Sequence, residues 1–309
     1  PPRGTERAFL RQIASPRHLL DDPIQRFERA LAEMGWPVRL DDQERRSGAP
    51  PSIGEATARF VRRSRAAVAD WRIAIAAFQQ TGGHDRASLS DALGAGEIVH
   101  EAVTDGLDAE LGANAALLGR SMLRLLNDLM AARPLQPVRP TKDVSILVGS
   151  VGPDVYRPEA PHEVTLIVDP GGDDRYDFSA LAPGAVLIVV DHAGADSYVG
   201  GGGILSLLVV VDHAGNDRWG DEGPGPAAAF GGVAAIADLQ GDDLYNASFF
   251  GQAAAILGRA VLFDANGHDR YQLHGLGQGF AATAGAAVLL DGDGDDHYSA
   301  DGAVDVFNR

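Results

Sequence analysis

An eight-residue phrase, Asp-x-x-Gly-x-Asp-x-(Tyr/Trp), occurs six times in the C-terminal half of this chain, each time directly after a short apolar run. The copies are Asp169-Gly172-Asp174-Tyr176, Asp191-Gly194-Asp196-Tyr198, Asp212-Gly215-Asp217-Trp219, Asp238-Gly241-Asp243-Tyr245, Asp264-Gly267-Asp269-Tyr271 and Asp291-Gly294-Asp296-Tyr298. A degenerate copy precedes them, with Gly149 in place of the first Asp and Gly152, Asp154 and Tyr156 in register. Successive first positions lie 20, 22, 21, 26, 26 and 27 residues apart. Self-similarity at this period means one supersecondary unit stacked on copies of itself. A β-prone strand precedes each full copy, at 164–168, 185–190, 206–211, 233–237, 259–263 and 286–290, and the aromatic can open a second strand. In the last three repeats a third segment rich in Gly, Ala and Gln follows, at 226–232, 252–258 and 278–285. The expectation is a parallel β-solenoid (β-helix) of about seven coils, on the order of 35 Å long at ~4.8 Å per coil.

The early strands carry a second message. Val186 to Val190 and Leu207 to Val211 are apolar at every position, whereas a wall open to water would alternate. One face is the solenoid interior, so the other must be covered, either by the N-terminal half or by a homodimer interface. The N-terminal half has helical spacing. A short stripe of Phe9, Leu10 and Ile13 is followed by a helix from Asp21 or Asp22 through Phe27, Leu31 and Met34, then a loop at 39–52 with Gly48, Pro50 and Pro51. A long helix spans 55–78 with Phe60, Val61, Val68, Trp71, Ile75 and Phe78 on its apolar face, and two more are expected at 90–111 and 114–132 before a Pro-rich linker at 134–140. The fold class is therefore α+β: a helical domain at 1–140 packed on a solenoid at 141–309.

The net charge of −17 is unevenly divided. Residues 1–142 carry 20 Lys and Arg against 18 Asp and Glu, whereas residues 143–309 carry 6 against 25, a net of −19. Such a field repels nucleic acid and anionic membrane and attracts cations. No apolar run reaches the roughly twenty residues of a membrane span, and the absence of cysteine excludes thiolate chemistry and disulfides. The chain begins Pro1-Pro2 without an initiator Met, which suggests a removed leader and an extracytoplasmic or secreted protein.

The fixed residues of the phrase suit a turn. Gly at the fourth position supplies a left-handed or tight conformation, and the first Asp can accept amides of its own turn. Two columns of carboxylates repeating every ~5 Å repel unless backbone amides and water hold them or cations lie between coils. Asp291-Gly292-Asp293-Gly294-Asp295-Asp296-His297-Tyr298 resembles the Gly-Gly-x-Gly-x-Asp-x-apolar nonapeptide of repeats-in-toxin β-rolls, with Gly294, Asp296 and Tyr298 in phase. The resemblance covers the turns only, about a sixth of the chain, with Asp where that family has its first Gly and one motif per 20 to 27 residues instead of nine. It implies calcium between coils, held by Asp169, Asp174, Asp191, Asp196, Asp212, Asp217, Asp238, Asp243, Asp264, Asp269, Asp291 and Asp296; self-capped turns are the alternative.

Variable positions are where a specific function can be added. The fifth position reads Asp173, Ala195, Asn216, Asp242, His268 and Asp295, so Asp242, His268 and Asp295 form a column with two carboxylates roughly 9–10 Å apart, near the range of inverting glycosidases. Against this stands a simply polar outward turn. Asp221, Glu222, Gln252, His274 and Gln278 in the longer coils can line a substrate groove. His192 and His213 fall on adjacent coils and can share a metal, and Arg175, Arg218 and Arg270 recur at the seventh position, where they balance charge. In the helical half, Glu97, His100, Glu101 and Asp105 share one side of a helix as half a metal site without a second half, and Arg59, Arg62, Arg63 and Arg65 form a solvated basic face or dock on the acidic half. Two functions remain open: a calcium-stabilised solenoid that binds a glycan or protein partner along its ladder surface, or a polysaccharide-degrading glycoside hydrolase.

Overall fold

In the computed structural model the described residues are 23–33, 50–82, 85–95, 107–132, 142–158, 164–220 and 223–300. Among these residues four helices are followed by a parallel β-solenoid: α1 (Pro23–Glu33), α2 (Ile53–Gly82), α3 (Arg86–Gly94) and α4 (Leu107–Met130). A capping box starts α2, with the Ser52 amide donating to Glu55 Oε2 at 2.9 Å and the Glu55 amide to Ser52 Oγ at 3.3 Å, which sets the start two residues before the expected one. Of the expected stripe, Phe60, Val68, Trp71, Ile75 and Phe78 are buried, and Val61 is half-buried against the same core. The break expected between 111 and 114 does not exist. Helix α4 runs through Gly112, which falls in that expected break; there the helix lies against the solenoid, and a β-carbon would meet Ala284 and Leu257 at 3.5 Å. Its expected predecessor at 90–111 is instead α3, capped by Asp85, whose side chain accepts the Ser88 amide at 2.7 Å; residues 96–106 lie outside the described set.

Two seven-stranded parallel sheets form the solenoid walls. The first joins β1 (Val144–Val148), β3 (Val164–Asp169), β5 (Val186–Asp191), β8 (Leu207–Asp212), β11 (Val233–Asp238), β15 (Arg259–Asp264) and β19 (Ala286–Asp291). The second joins β2 (Val155–Tyr156), β4 (Arg175–Asp177), β6 (Ser197–Val199), β9 (Arg218–Trp219), β12 (Leu244–Ala247), β16 (Arg270–Leu273) and β20 (His297–Ala300). A third wall of β7 (Gly202–Ile204), β10 (Ala228–Phe230), β14 (Ala254–Ile256) and β18 (Phe280–Ala282) contains one strand more than the sequence suggested. Strand β7 sits in a glycine-rich stretch; Gly203 fits there because a β-carbon would lie 2.7 Å from the Ala228 carbonyl. A short pair, β13 (Phe250–Gly251) and β17 (Leu276–Gly277), lines a corner of the longer coils.

The solenoid makes about five turns between 164 and 300, not seven. Seven sheet rungs are present, but complete turns are the intervals between Val164, Val186, Leu207, Val233, Arg259 and Ala286. The rung of β1 and β2 pairs in register with the next one, yet closes no described coil. Six intervals of ~4.8 Å give a stack of roughly 29 Å, shorter than expected.

Alternate residues of the first sheet enter two cores, which is why its strands are apolar throughout. Leu166, Ile188, Val190, Val209 and Val211 join Trp71, Phe78, Leu118 and Leu126 of the helices; Ile167, Leu187, Val189, Leu208 and Val210 point inward to the aromatic column. Polar bonds fix the helical cover. The Trp71 indole donates to the Gly231 carbonyl at 2.8 Å, and the buried Arg86 guanidinium donates to the carbonyls of Phe178 (2.9 Å), Ile204 (3.2 Å) and Ser179. Desolvation lowers the Arg86 pKa to about 10.

Candidate functional site: a buried carboxylate column

Each turn of the phrase is wired to the next coil. The motif Gly amide donates to the third-position carbonyl of the following turn, as from Gly172 to Ala193 at 2.9 Å and from Gly215 to Gln240 at 2.9 Å. Stacking, more than a left-handed backbone, explains why the residue is Gly. Among the fixed glycines only Gly172 has positive φ, whereas a β-carbon on Gly194, Gly215, Gly241, Gly267 or Gly294 would lie 1.7–1.9 Å from the carbonyl of the preceding turn's Gly.

The second Asp of each coil accepts, through Oδ1, the backbone amide of the second Asp one coil earlier. The chain runs Asp154 to Asp174 (2.6 Å), Asp174 to Asp196 (2.6 Å), Asp196 to Asp217 (2.7 Å), Asp217 to Asp243 (2.6 Å), Asp243 to Asp269 (2.7 Å) and Asp269 to Asp296 (3.0 Å). The first Asp accepts from the aromatic of the preceding coil. Tyr156, Tyr176 and Tyr198 donate to Asp169, Asp191 and Asp212; the Trp219 indole reaches Asp238 at 2.9 Å and Tyr245 reaches Asp264 at 2.6 Å. In the early coils Oδ1 of the first Asp also caps its own turn, as from the Ala193 amide to Asp191 at 2.9 Å. The pattern changes at the C-terminal end, where Tyr298 donates to Asp291 of its own coil. The aromatic rings form the expected stack, with centroids 3.8–6.1 Å apart and planes within 15° from Tyr156 to Tyr298.

Self-capping leaves a remainder. Oδ2 of Asp174, Asp196, Asp217, Asp243 and Asp269 has no hydrogen-bond partner among the described residues, nor has Oδ1 of Asp238 and Asp264. The five second-position residues are at most 3% exposed. They fall into trios whose ligand oxygens lie within 4.8 Å of one another: Asp154/Asp169/Asp174, Asp174/Asp191/Asp196, Asp196/Asp212/Asp217, Asp217/Asp238/Asp243 and Asp243/Asp264/Asp269. Each second Asp between Asp174 and Asp243 thus belongs to two successive trios. Oxygens facing one ion from opposite sides at calcium distances of about 2.3–2.6 Å stand roughly 5 Å apart, so these buried clusters can hold a metal ion.

Bare, the column is electrostatically costly. Burial, the leading cause throughout, raises Asp174 to about 6, Asp191 to about 8 and Asp196 to about 7; neighbouring carboxylates add to the rise, and donated hydrogen bonds oppose it. Asp217, Asp238 and Asp264 are pushed up strongly by burial and then by adjacent Asp charges. Two chemistries can neutralise the trios: protons shared between carboxyls, or cations.

The remaining predicted residues are placed as follows. Asp242, His268 and Asp295 do stack as one turn column, where each lends its backbone or side chain to a ladder: the His268 amide donates to Asp242 Oδ1 and the Asp295 amide to His268 Nδ1, both at 3.0 Å. Beside them His268, Asp295 and His297 line an open groove of about 500 Å³. Gln252 is fully buried, donating to the carbonyls of Tyr245 (3.0 Å) and Gln272 (2.7 Å), and Gln278 donates to Gln252 at 3.2 Å. His274 lies in a second groove of about 440 Å³. Asp221, Glu222, Glu97, His100, Glu101 and Asp105 fall outside the described residues. His192 and His213 stack at 4.9 Å, and burial lowers both, His213 to about 4 with the neighbouring His192 charge as second cause. The basic run on α2 is a dock only at Arg65, which pairs with Asp143 at the start of the solenoid at 2.7 Å; Arg59 pairs with Asp128 of α4, inside the helical half, at 3.5 Å. Asp154 was missed as a candidate ligand. Its signal was its place as second Asp in the degenerate copy.

Fold and site together define a parallel β-solenoid with an internal carboxylate column, braced on one wall by helices. No protein-family model matches the chain, and no curated protein or solved structure matches it.

Proposed function

We propose that this chain is an exported β-solenoid whose carboxylate column is loaded with calcium and whose uncovered wall binds a glycan or protein partner. The supporting observation is the row of five buried Oδ2 atoms without a donor, each in a trio of hard oxygen ligands. An all-carboxylate set suits calcium, which accepts irregular, oxygen-rich geometry, better than zinc or copper. The turns' resemblance to repeats-in-toxin rolls supports the same ion, and weak repeated sites fill at extracellular calcium levels. The test is calorimetric titration of chelator-treated protein with calcium, followed by thermal melting. Binding of several ions and a rise in Tm are expected, since a ligand of the native state stabilises it by mass action; no heat and an unchanged Tm refute calcium loading.

Glycoside hydrolysis is a second reading, favoured by the groove beside His268 and Asp295. In it Asp242 and Asp295 are the carboxylate pair and His268 lies between them on the intervening coil. Reducing-sugar release from neutral and acidic polysaccharides would decide: equal rates for wild type, Asp242→Ala and Asp295→Ala exclude this pair.

A further inference from the structure

The outward position of the second sheet forms one registered column: Val155, Arg175, Ser197, Arg218, Leu244, Arg270 and His297. Arginines occupy alternate rungs, so their backbone positions repeat every roughly 9–10 Å. Arg218 and Arg270 are exposed and have no hydrogen bond or ion pair among the described residues, while Arg175 reaches Ser197 Oγ at 3.5 Å. Of the six basic residues in 143–309, four lie at this wall: these three and Arg157, which neighbours Asp177 at 3.9 Å. The two grooves run along the same wall and share Gln272; Asn246, Gln272 and His274 supply amide and imidazole groups between the charges.

We propose that this wall binds a linear polysaccharide bearing one uronate carboxylate per disaccharide, an inference that rests on the glycan-platform reading above. Charge spacing carries it. A nucleic acid strand presents a phosphate every ~3.4 Å, far denser than alternate rungs can match. Asp295, in the wall of the groove that Arg270 also lines, further disfavours a dense polyanion. An extended disaccharide repeat spans about two rungs, so each carboxylate can meet one guanidinium while the intervening sugar's hydroxyls meet the side chains of Asn246 and Gln272. Ten of the 25 acidic residues of 143–309 are in the buried column, which leaves 15 outside it against six basic residues, four of them at this wall.

The experiment is calorimetric binding to the calcium-treated full chain of three probes: hyaluronan oligosaccharides (one carboxylate per disaccharide), oligogalacturonates (one per sugar) and neutral chitooligosaccharides. Hyaluronan should bind best, and Arg218→Gln/Arg270→Gln should weaken it by at least about tenfold with an unchanged melting curve, since neither side chain has a partner among the described residues. Filling the empty rungs with Ser197→Arg/Leu244→Arg should shift preference towards oligogalacturonate. Equal binding of hyaluronan and the neutral probe, or hyaluronan binding indifferent to the double Gln variant, overturns the uronate inference and leaves the glycan platform standing. Binding of none of the three by protein that still responds to calcium overturns both.

Discussion

Asp217 stands in two trios and is the residue at which protons and cations make opposite predictions. Its Oδ1 accepts the Asp196 amide at 2.7 Å, and its Oδ2 has no donor. Asn at this position keeps the first bond and replaces the orphan oxygen with an NH2 that can donate to Asp212 or Asp238. In ion-free protein at pH 7, burial and then the adjacent Asp212 charge favour the protonated form of Asp217, although the same carboxyl ionises near 3.8 when unfolded. That gap of about 3 pH units, at ~1.4 kcal/mol each, costs roughly 4 kcal/mol that Asn does not incur. Asp217→Asn should therefore stabilise the chelator-treated protein at pH 7 by up to about 4 kcal/mol, with the gain vanishing near pH 4. With calcium present the order reverses. Two sites lose a ligand, and at a hundredfold excess over Kd each filled site is worth about 2.7 kcal/mol. Urea unfolding of both proteins, in chelator and in calcium, reads the four stabilities. A variant less stable than wild type in chelator at pH 7 refutes the electrostatic reasoning; a variant more stable in both conditions refutes the ion and leaves proton sharing.

The same column sets a pH dependence. Because folded pKa values near 6, 8 and 7 for Asp174, Asp191 and Asp196 lie above the unfolded 3.8, their contribution is fully present below about pH 4 and is lost as pH rises through 6–8, so Tm in chelator should fall from pH 5 to pH 9; a Tm that rises over this interval contradicts it. Gly215→Ala places a β-carbon 1.9 Å from the Gly194 carbonyl and should cost about 3 kcal/mol or more, whereas Gly152→Ala, the same motif position with no coil before it among the described residues and its nearest atom 3.8 Å away, should be nearly neutral by urea melt. Trp71→Phe removes the donor to the buried Gly231 carbonyl and should cost about 1–3 kcal/mol of unfolding free energy; an unchanged value would mean the helical cover is held by apolar contact alone.

The fold was legible because its signal is redundant: six copies of one phrase fix the register, and strands apolar at every position announce a covered wall. What spacing could not reveal is which constraint each fixed residue obeys. The motif Gly reads as a turn residue, yet from Gly194 onward it is demanded by a carbonyl of the coil before it, a contact 20 or more residues away in sequence. The gap expected between helices at 90–111 and 114–132 falls at Gly112, which instead lies inside α4 where that helix meets Leu257. Asp221 and Glu222 aside, polarity is all that marks the substrate candidates in the sequence, and polarity does not distinguish Gln252, spent on two buried carbonyls, from His274, which faces a groove. Ligand trios were half-legible: the Asp positions are in the phrase, but their sharing between coils depends on stacking order.

Stacking also changes what the composition means. A net of −19 over 143–309 reads as an acidic surface that draws cations to the outside and repels anions. In the solenoid the repeating carboxylates from Asp169 to Asp269 are buried, where each proton or ion they take up cancels charge inside the molecule. Arginines at the seventh position point the other way, onto the open wall, because side chains alternate along a strand and the seventh and eighth positions of one phrase must face opposite sides. The phrase that puts Tyr or Trp inward therefore also puts its neighbour outward at fixed vertical spacing. Neutralising the column and charging the wall are two consequences of one repeat, and the sign of the surface a partner meets follows from the strand's period of two.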